Sequence, residues 1–579
     1  MSENLNSLTY TLPESLQTEV ETALREWQNA DNTRKLWAKD ANVWTNDAQD
    51  NESKWLGWLD IVQRQLVDGQ KFIDFAKEVE REGFAHCVLL GMGGSSLCVD
   101  VLSLTYGKQN GFPEFHILDS TSPAQVKTIE SKIDLAKTLF FVSSKSGSTL
   151  EPNIFKQYFF ERVAEVVGGR EKAGKHFIAI TDPNSKMQAV AEKDDFRRIY
   201  FGDATIGGRF SALSDFGMIP LAAMGIDVAD FLQRTMQMVE ACGADVDANE
   251  NAGVILGVIL GVANKHDIDK LTIFAAPEIF SVGAWMEQLI AESTGKIGKA
   301  IIPIDREDFT EIGNYGDDRL FVYLRSDGTS DSTQDDFVAK LEQAGKPVVR
   351  INVLDKLNLG QEFFRWEIAT AVAGSLLNIN PFNQPDVEAS KIETRKITDA
   401  YEETGSLPPE TPFHEENNIK LFTDDENLAA LNEIVGEEKT VASYLKAHLS
   451  RIVPQDYFAI LAYIEMTADH FAQLEQLRQQ VLEEKHVATC LQFGPRFLHS
   501  TGQAYKGGTN SGVFLQITSE DAVDLEVPDQ KYTFSVVKSA QARGDFQVLV
   551  DRERRALRVH LSKDLRTALL ELQDAFGKV

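Results

Sequence analysis

Two short stretches rich in glycine and hydroxyl residues each follow an apolar run that predicts a buried strand. They are Gly91–Ser96 (Gly-Met-Gly-Gly-Ser-Ser) and Ser143–Thr149 (Ser-Ser-Lys-Ser-Gly-Ser-Thr). Backbone N–H groups at a turn from strand to helix point outward, and the helix dipole favours an anion there. The second stretch could therefore bind a phosphate, with hydroxyl donors from Ser144, Ser146, Ser148 and Thr149. The alternative is an ordinary serine- and glycine-rich turn that caps a helix.

The Gly91–Ser96 stretch is close to a dinucleotide-binding fingerprint, and Asp119 ends the next predicted strand. However, Ser96 occupies the third glycine position, and G-x-G alone is a weak signal. The Walker phosphate-binding pattern is also absent from the sequence. We therefore do not expect a nicotinamide cofactor.

Three further stretches hold charged residues in patterns that suit catalysis. Arg209 follows two glycines, which let the backbone approach a ligand beside a fixed cation. Gln288 and Glu292 are four residues apart and hence share one helix face. Lys391 closes the stretch Asn380–Lys391. The ordinary alternatives are a solvated arginine in a turn, an exposed helix carboxylate and a surface lysine.

The net charge narrows the class of partner. The 579 residues include 58 Lys and Arg against 88 Asp and Glu, which gives a net charge of −30. Such a surface repels phosphate backbones and anionic lipid, which argues against nucleic-acid and membrane binding. An anionic small molecule could still bind, but only in a locally basic pocket.

The cysteine content and the apolar runs bear on localisation. The four cysteines form no C-x-x-C pair, so neither a zinc knuckle nor a redox motif is visible. Few cysteines in so long a chain suit a reducing compartment. Met1–Glu14 lacks the apolar stretch of a signal peptide, and the longest apolar run, Gly253–Ala263, is far below the ~18–20 residues that span a bilayer. We expect a cytoplasmic protein.

The order of the predicted elements indicates an α/β fold. Residues up to Glu82 are predicted to be helical, because apolar residues recur there at helical spacing. Helices separate most of the five short apolar runs that follow, which predicts a parallel, doubly wound sheet with ligands at the carboxyl ends of its strands. Two further sets of strands are predicted between Leu271 and Val353 and between Tyr457 and Leu561. The five runs of the first set are Cys87–Gly91, Phe115–Asp119, Leu139–Ser143, Phe177–Thr181 and Arg198–Phe201.

These elements predict four segments: a helical segment at residues 1–82 and α/β domains at residues 83–230, 231–400 and 401–579. Residues 402–418 have the proline-rich, acidic composition of a linker. One short internal similarity joins two of the domains. Glu292–Lys296 (Glu-Ser-Thr-Gly-Lys) resembles His499–Gln503 (His-Ser-Thr-Gly-Gln). It could reflect duplication of a βαβ unit or chance, and the sequence leaves both open.

These stretches together resemble the glucose-6-phosphate isomerase family. Residues 206–217 match its G-G-R-[FY]-S signature, and residues 288–296 match Q-x-x-x-E-S-N-G-K with Thr294 in place of asparagine. Residues 382–391 resemble F-D-Q-x-G-V-E-x-x-K, with Asn383 replacing aspartate and Asp386 replacing glycine. The two glycine- and hydroxyl-rich loops resemble its sugar-phosphate-binding turns. The matches run in family order from about residue 85 to residue 391.

The resemblance implies two sugar isomerase (SIS) domains and interconversion of glucose 6-phosphate and fructose 6-phosphate. Glu292 would move a proton between C2 and C1 through an enediolate, and Arg209 would stabilise the charge that develops. Lys391 would act near the ring oxygen during ring opening. The resemblance implies substrate contacts from Gly94, Ser95, Ser144, Lys145, Ser146, Thr149, Gly208, Gln288 and Gln384. Neither a metal nor an organic cofactor is implied.

The sequence departs from the family at one position that matters. The usual G-Q-H segment, whose histidine opens the sugar ring, corresponds here to Gly316–Arg319, without histidine. The stretch Phe493–Gly508 resembles the isomerase portion of fused transaldolase–glucose-6-phosphate isomerase proteins, and it contains His499. We expect no transaldolase activity, because no transaldolase barrel precedes this portion.

His499 is therefore a candidate ring-opening acid supplied in cis in place of a partner subunit's histidine. The alternative is a packed histidine in a turn. A monomer is expected if His499 acts in cis, with a homodimer as the alternative. Two other functions remain open: isomerisation of another phosphosugar, including dual specificity for mannose 6-phosphate, and non-enzymatic sensing of a sugar phosphate. A sensor has no need of Glu292, Arg209 and Lys391 together, so their joint presence favours the enzyme.

Overall fold

The computed structural model describes residues 5–44, 51–329 and 332–577, and the first four residues of the polar N-terminus lie outside these ranges. The strands in chain order are β1 (Ser7–Thr11), β2 (His86–Leu90), β3 (Glu114–Leu118), β4 (Thr138–Ser143), β5 (Phe177–Thr181), β6 (Arg198–Phe201), β7 (Lys270–Ala275), β8 (Ile302–Asp305), β9 (Arg319–Ser326), β10 (Val348–Val353), β11 (His414–Glu416), β12 (Ile419–Phe422), β13 (Tyr457–Tyr463), β14 (Ala488–Phe493), β15 (Gly512–Ser519) and β16 (Arg555–Leu561).

The α-helices in chain order are α1 (Glu14–Asn29), α2 (Asn32–Trp37), α3 (Ile61–Val67), α4 (Gln70–Glu82), α5 (Leu97–Tyr106), α6 (Pro123–Lys132), α7 (Leu150–Val167), α8 (Arg170–Ala173), α9 (Lys186–Lys193), α10 (Asp215–Ala223), α11 (Val228–Ala241), α12 (Ala252–Lys265), α13 (Val282–Thr294), α14 (Ser332–Gln343), α15 (Leu359–Leu376), α16 (Pro385–Thr404), α17 (Asp425–Val435), α18 (Val441–Leu449), α19 (Ala468–Lys485), α20 (Gly502–Gly507), α21 (Phe534–Asp551) and α22 (Leu565–Phe576). None of the helices in the described ranges is long and apolar enough to cross a membrane.

The strands form three sheets whose parallel strands share one order. The first sheet has the order β3-β2-β4-β5-β6, the second β1-β10-β9-β7-β8 and the third β11-β12-β16-β15-β13-β14. In each sheet the first parallel strand lies between the second and the third, which is the 2-1-3-4 order of doubly wound folds. The predicted fold class is therefore confirmed. β1 adds to the second sheet as an antiparallel edge strand. In the third sheet β12 pairs antiparallel with β16, and β11 pairs antiparallel with β12 and forms the edge.

The chain divides into two compact units. The first consists of residues 1–119, 129–306 and 319–383, and it holds the first two sheets. The second consists of residues 120–128, 307–318 and 384–579, and it holds the third sheet. Each unit has a hydrophobic core of its own. The domain boundaries near residues 83, 231 and 401 stay predictions, because the two units are discontinuous in sequence.

Two local predictions were wrong. The segment up to Glu82 is not helical throughout, because Ser7–Thr11 forms strand β1. This strand pairs on one side only, and its alternating exposure hides it from a search for apolar runs. Residues 402–418 are not entirely linker, since α16 extends to Thr404 and His414–Glu416 forms β11.

Candidate functional site

The first sheet brings both glycine- and hydroxyl-rich loops to one edge. The loop Gly91–Ser96 follows β2 and the loop Ser144–Thr149 follows β4, and these two strands are parallel neighbours. The strand order reverses between them, and doubly wound folds bind ligands at this switch point. The two loops therefore lie at one edge of the sheet, as the sequence predicted.

Glycine is required at both loops for steric reasons. A Cβ on Gly94 would lie 2.3 Å from the carbonyl oxygen of Gly208, so the two backbones approach closely. Gly147 has a φ of +67°, and a Cβ there would lie 2.2 Å from the backbone nitrogen of Met187. Neither position accepts a side chain without displacing backbone. The neighbouring Ser95 is half-buried at the same edge.

The Ser144–Thr149 loop leads directly into α7, an 18-residue helix whose N-cap residue is Thr149. The Ser144 hydroxyl is buried and makes no hydrogen bond within the described part of the chain. The Ser146 side chain is exposed, and its hydroxyl accepts from the Ser148 backbone N–H at 3.2 Å. Free helix N–H groups and hydroxyls at this end make the loop suitable for a phosphate.

Lys145 in this loop forms an ion pair with Asp182, which follows the next strand, β5. Burial raises the pKa of Asp182, and Lys145 opposes that shift. Asp182 was not predicted from the sequence, although its place at the carboxyl end of a neighbouring parallel strand was a usable signal. The pair holds the Lys145 ammonium at the loop.

Arg209 and Glu292 form a buried ion pair in the first unit. Their side chains lie with Nη1 and Oε1 3.1 Å apart, and the two residues are only 3% and 7% exposed. Gln288, one helical turn before Glu292 on α13, donates from Nε2 to Oε2 of that carboxylate at 3.1 Å. The predicted shared face of Gln288 and Glu292 thus exists, and its carboxylate is not an exposed one.

Other hydrogen bonds fix the guanidinium of Arg209. Nε donates to the Ser293 hydroxyl at 2.7 Å, and Nη2 donates to the carbonyls of Pro381 at 2.6 Å and Asn383 at 3.1 Å. Burial lowers the pKa of Arg209, and Glu292 opposes that shift. The side chain remains a cation, since arginine does not lose its proton in proteins.

Lys296, in the same signature as Glu292, forms hydrogen bonds that connect this signature to the stretch Asn380–Lys391. Lys296 donates from Nζ to the carbonyls of Ser293 at 2.8 Å and Asn380 at 2.6 Å. The role of Ser293 was missed, although the residue lies within a recognised motif. The carbonyl acceptors were missed because a backbone oxygen has no sequence signature.

The remaining predicted site residues belong to the second unit. Lys391 lies on α16 and forms an ion pair with Glu388 at 2.7 Å. His499 ends a short 3₁₀ helix (Arg496–His499) and is half-buried. Gln384 is half-buried at the N-cap of α16.

The helix that carries Lys391 is anchored close to the segment that carries His499. Gln503 accepts from the backbone N–H groups of Asp386 at 2.9 Å and Val387 at 3.1 Å. It also donates from Nε2 to the Asp386 carboxylate at 2.9 Å. The segment that contains His499 therefore fixes the first turn of α16.

Comparisons with known proteins agree with this site. Residues 73–307 match the family model described as phosphoglucose isomerase. The glucose-6-phosphate isomerase of Mycoplasmopsis pulmonis is 27% identical over 421 residues, which cover 64% of this chain and 97% of the relative. That of Methanocaldococcus jannaschii is 26% identical over 391 residues, which cover 61% of this chain and 92% of the relative.

Two solved structures are similar in fold. A hypothetical protein from Thermus thermophilus has a TM-score of 0.57 at 22% identity, and the match covers 67% of this chain and 99% of the other. A glucose-6-phosphate isomerase from Chlamydia trachomatis has a TM-score of 0.51 at 18% identity, and that match covers 69% of this chain and 89% of the other.

The sheets define a doubly wound α/β protein. Residues 73–307, which include Arg209 and Glu292, are similar to the glucose-6-phosphate isomerase family. This similarity supports the family predicted from the sequence, whereas the link to fused transaldolase proteins stays a prediction. The roles of Arg209, Glu292, Lys391 and His499 stay predictions, and the last two residues lie beyond the matched range.

Proposed function

We propose that the chain is an aldose–ketose isomerase that interconverts glucose 6-phosphate and fructose 6-phosphate. The observation that carries the proposal is the buried pair of Arg209 and Glu292, within the residues that match the family. The Ser144–Thr149 loop supports it, because it supplies hydroxyls and helix N–H groups for the phosphate.

In the proposed mechanism Glu292 takes the proton from C2 of the open-chain aldose and returns it to C1, while the hydroxyl proton of O2 passes to O1, so that C2 becomes the carbonyl carbon of the ketose. As the carboxylate is neutralised, negative charge develops on the enediolate oxygens of the substrate. Arg209 stabilises that charge, and its fixed hydrogen bonds mean that little reorganisation is needed during the reaction. Gln288 holds the Glu292 carboxylate in one orientation.

The roles of Lys391 and His499 in ring opening are also part of the proposal. Their support is the sequence pattern, together with the hydrogen bonds that tie α16 to the Gln503 side chain. The similarity to the isomerase portion of fused transaldolase proteins, a cytoplasmic location and activity as a monomer are proposed on the sequence alone.

The decisive experiment follows turnover and hydrogen exchange together. The full chain is assayed with fructose 6-phosphate, with mannose 6-phosphate as the competing substrate. Incorporation of deuterium from the solvent at C2 of the product is also measured. Production of glucose 6-phosphate with deuterium at C2 is the expected result. Faster turnover of mannose 6-phosphate would indicate a different specificity. Binding of fructose 6-phosphate without turnover or exchange would indicate a sensor.

A further inference from the structure

Three potential metal ligands meet at the opposite end of the first sheet from the glycine-rich loops. His86 is the first residue of β2, and Glu114 and His116 are the first and third residues of β3. His86 pairs with Glu114 across the two parallel strands. Because residues two apart in a strand share a face, all three side chains stand on the same face of the sheet.

The distances between the donor atoms suit a small metal ion. Nδ1 of His86 lies 3.3 Å from Nε2 of His116, and one donor atom from each of the three side chains lies within 4.8 Å of the others. Zinc–nitrogen bonds of ~2.0–2.1 Å in a tetrahedron place two nitrogens about 3.3–3.4 Å apart. The two imidazoles are therefore already at the spacing that one zinc ion requires.

The third ligand completes the set after a small movement. Glu114 is exposed, so its side chain can turn to bring a carboxylate oxygen closer to the two nitrogens. Two histidines and one carboxylate are a set that binds Zn²⁺, with water in the fourth position. We propose that His86, Glu114 and His116 form a binding site for a divalent transition-metal ion, with Zn²⁺ as its occupant.

The surroundings are compatible with this occupant. Burial lowers the pKa of His116, Glu114 opposes the shift, and His86 and Lys132 add to it. Each ring binds the ion through one nitrogen and carries its proton on the other: Nε2 of His86 and Nδ1 of His116. The Lys132 ammonium repels a cation, and Glu114 offsets it.

The proposed metal site is separate from the glycine-rich loops. It lies at the amino-terminal end of β2, whereas the Gly91–Ser96 loop follows the carboxyl end of that strand. Five strand residues at ~3.3 Å each separate the two ends by about 15 Å. Because β3 is the edge strand and pairs only with β2, a bound ion would join the edge to the interior of the sheet.

Zinc titration of the chelator-treated full chain tests the proposal. Equilibrium dialysis against ZnCl₂ should find one ion bound more tightly than any other, and His116→Ala should weaken its binding at least about tenfold. Glu114→Gln should also weaken it, and because this side chain is exposed, the variant keeps the fold. The matched control is His266→Ala, which removes the histidine of an exposed pair with Glu19 at 2.7 Å. It should leave the tight site intact.

Cobalt spectroscopy provides the second readout. Co²⁺ bound to the wild-type chain should show the intense visible absorption of a four-coordinate ion, and His116→Ala should lose it. Isomerase activity should be the same with and without chelator in every variant, which also shows that each variant is folded. Equal zinc affinity in wild type and His116→Ala, or the weak spectrum of six-coordinate cobalt in the wild type, would overturn the proposal.

Discussion

The first and third sheets have the same order of parallel strands but different loops at the switch point. In the first sheet the loops after β2 and β4 are rich in glycine and serine and carry Lys145. In the third sheet the corresponding strands, β13 and β15, are followed by Ile464–Thr467 and by Glu520 and Asp521. Both of these loops are acidic and contain no glycine, and Asp521 forms an ion pair with Lys538.

This difference shows that the strand order alone does not define the chemistry. A parallel sheet provides a crevice at the carboxyl ends of its strands, but a phosphate needs N–H groups, hydroxyls and positive charge there. The first sheet supplies all three, whereas the acidic loops of the third sheet repel an anion. Function lies in the loops that a fold carries. Substitutions in the two sheets can therefore test whether the chemistry resides in the loops of the first sheet.

The largest expected effect is that of Glu292→Gln. The substitution keeps the shape of the side chain and removes the proposed base, so kcat should fall by ~10²–10⁴-fold. The matched control is Glu475→Gln on α19, which alters another buried carboxylate, paired with Arg478 at 3.3 Å in the second unit. Steady-state kinetics with fructose 6-phosphate should show kcat within about twofold of wild type for the control. Equal losses in both variants would place the chemistry elsewhere.

A charge reversal tests the phosphate loop. Ser146→Asp places a carboxylate beside the proposed phosphate site, and two like charges about 4 Å apart repel by up to ~4 kcal/mol near a protein surface. KM for fructose 6-phosphate should therefore rise at least about tenfold.

The control adds the same charge to the third sheet. Ala522 is exposed in the loop after β15, and Ala522→Asp should leave KM unchanged. Both substitutions lie in exposed turns, so circular dichroism should show unchanged folds. An unchanged KM for Ser146→Asp would contradict phosphate binding by the loop.

A smaller effect is expected for His499→Ala, because sugar rings also open in water without a catalyst. Turnover of cyclic fructose 6-phosphate should fall about tenfold or more, while an open-chain analogue should react almost normally. His470→Ala, at another half-buried histidine of the second unit, is the control and should affect neither substrate. Equal impairment on both substrates would refute ring opening by His499. If His499 acts in cis, specific activity should also persist on dilution to the monomer.

The parts of the molecule that the sequence predicted share a physical cause. Strand β5 was predicted with its observed bounds, Phe177–Thr181, because a strand buried on both faces is a continuous apolar run. Strand β11 was missed because its three residues are polar and lie in a segment with linker composition. Arg209 and Glu292 were found because their signatures are local.

The partners of Arg209 could not be predicted in the same way. Two of them are the backbone carbonyls of Pro381 and Asn383, more than 170 positions along the chain. Such contacts depend on tertiary packing and have no local signature. The similarity of Glu292–Lys296 to His499–Gln503 shows that a local similarity in sequence can also fail to predict local structure. The first segment ends helix α13, whereas the second joins a 3₁₀ turn to α20, so similar residues occupy different local structures.

The smallest expected effect is on stability, and it concerns a buried histidine of the second unit. Burial lowers the pKa of His448 on α18 to about 3, with a further contribution from Arg451, while a hydrogen bond to the Phe514 carbonyl at 3.0 Å opposes the shift. Because the unfolded chain takes up a proton near pH 6.5 and the folded chain does not, the second unit should lose stability as the pH falls below 6.5. The loss from this group is about 1.4 kcal/mol per pH unit, and it continues towards pH 3.

His448→Gln keeps a hydrogen-bond donor for the Phe514 carbonyl and removes the titration. The slope of the free energy of unfolding against pH should therefore fall by the contribution of one proton. All seven tryptophans lie in the first unit, so their fluorescence follows that unit while far-ultraviolet circular dichroism follows both. When urea unfolding is followed between pH 7 and pH 5, the variant should differ from wild type only in the transition of the second unit, which circular dichroism detects and tryptophan fluorescence does not. Above pH 7, the free energy of unfolding should depend on pH in the same way for wild type and variant. An unchanged slope in the variant would mean that His448 is protonated in the folded unit.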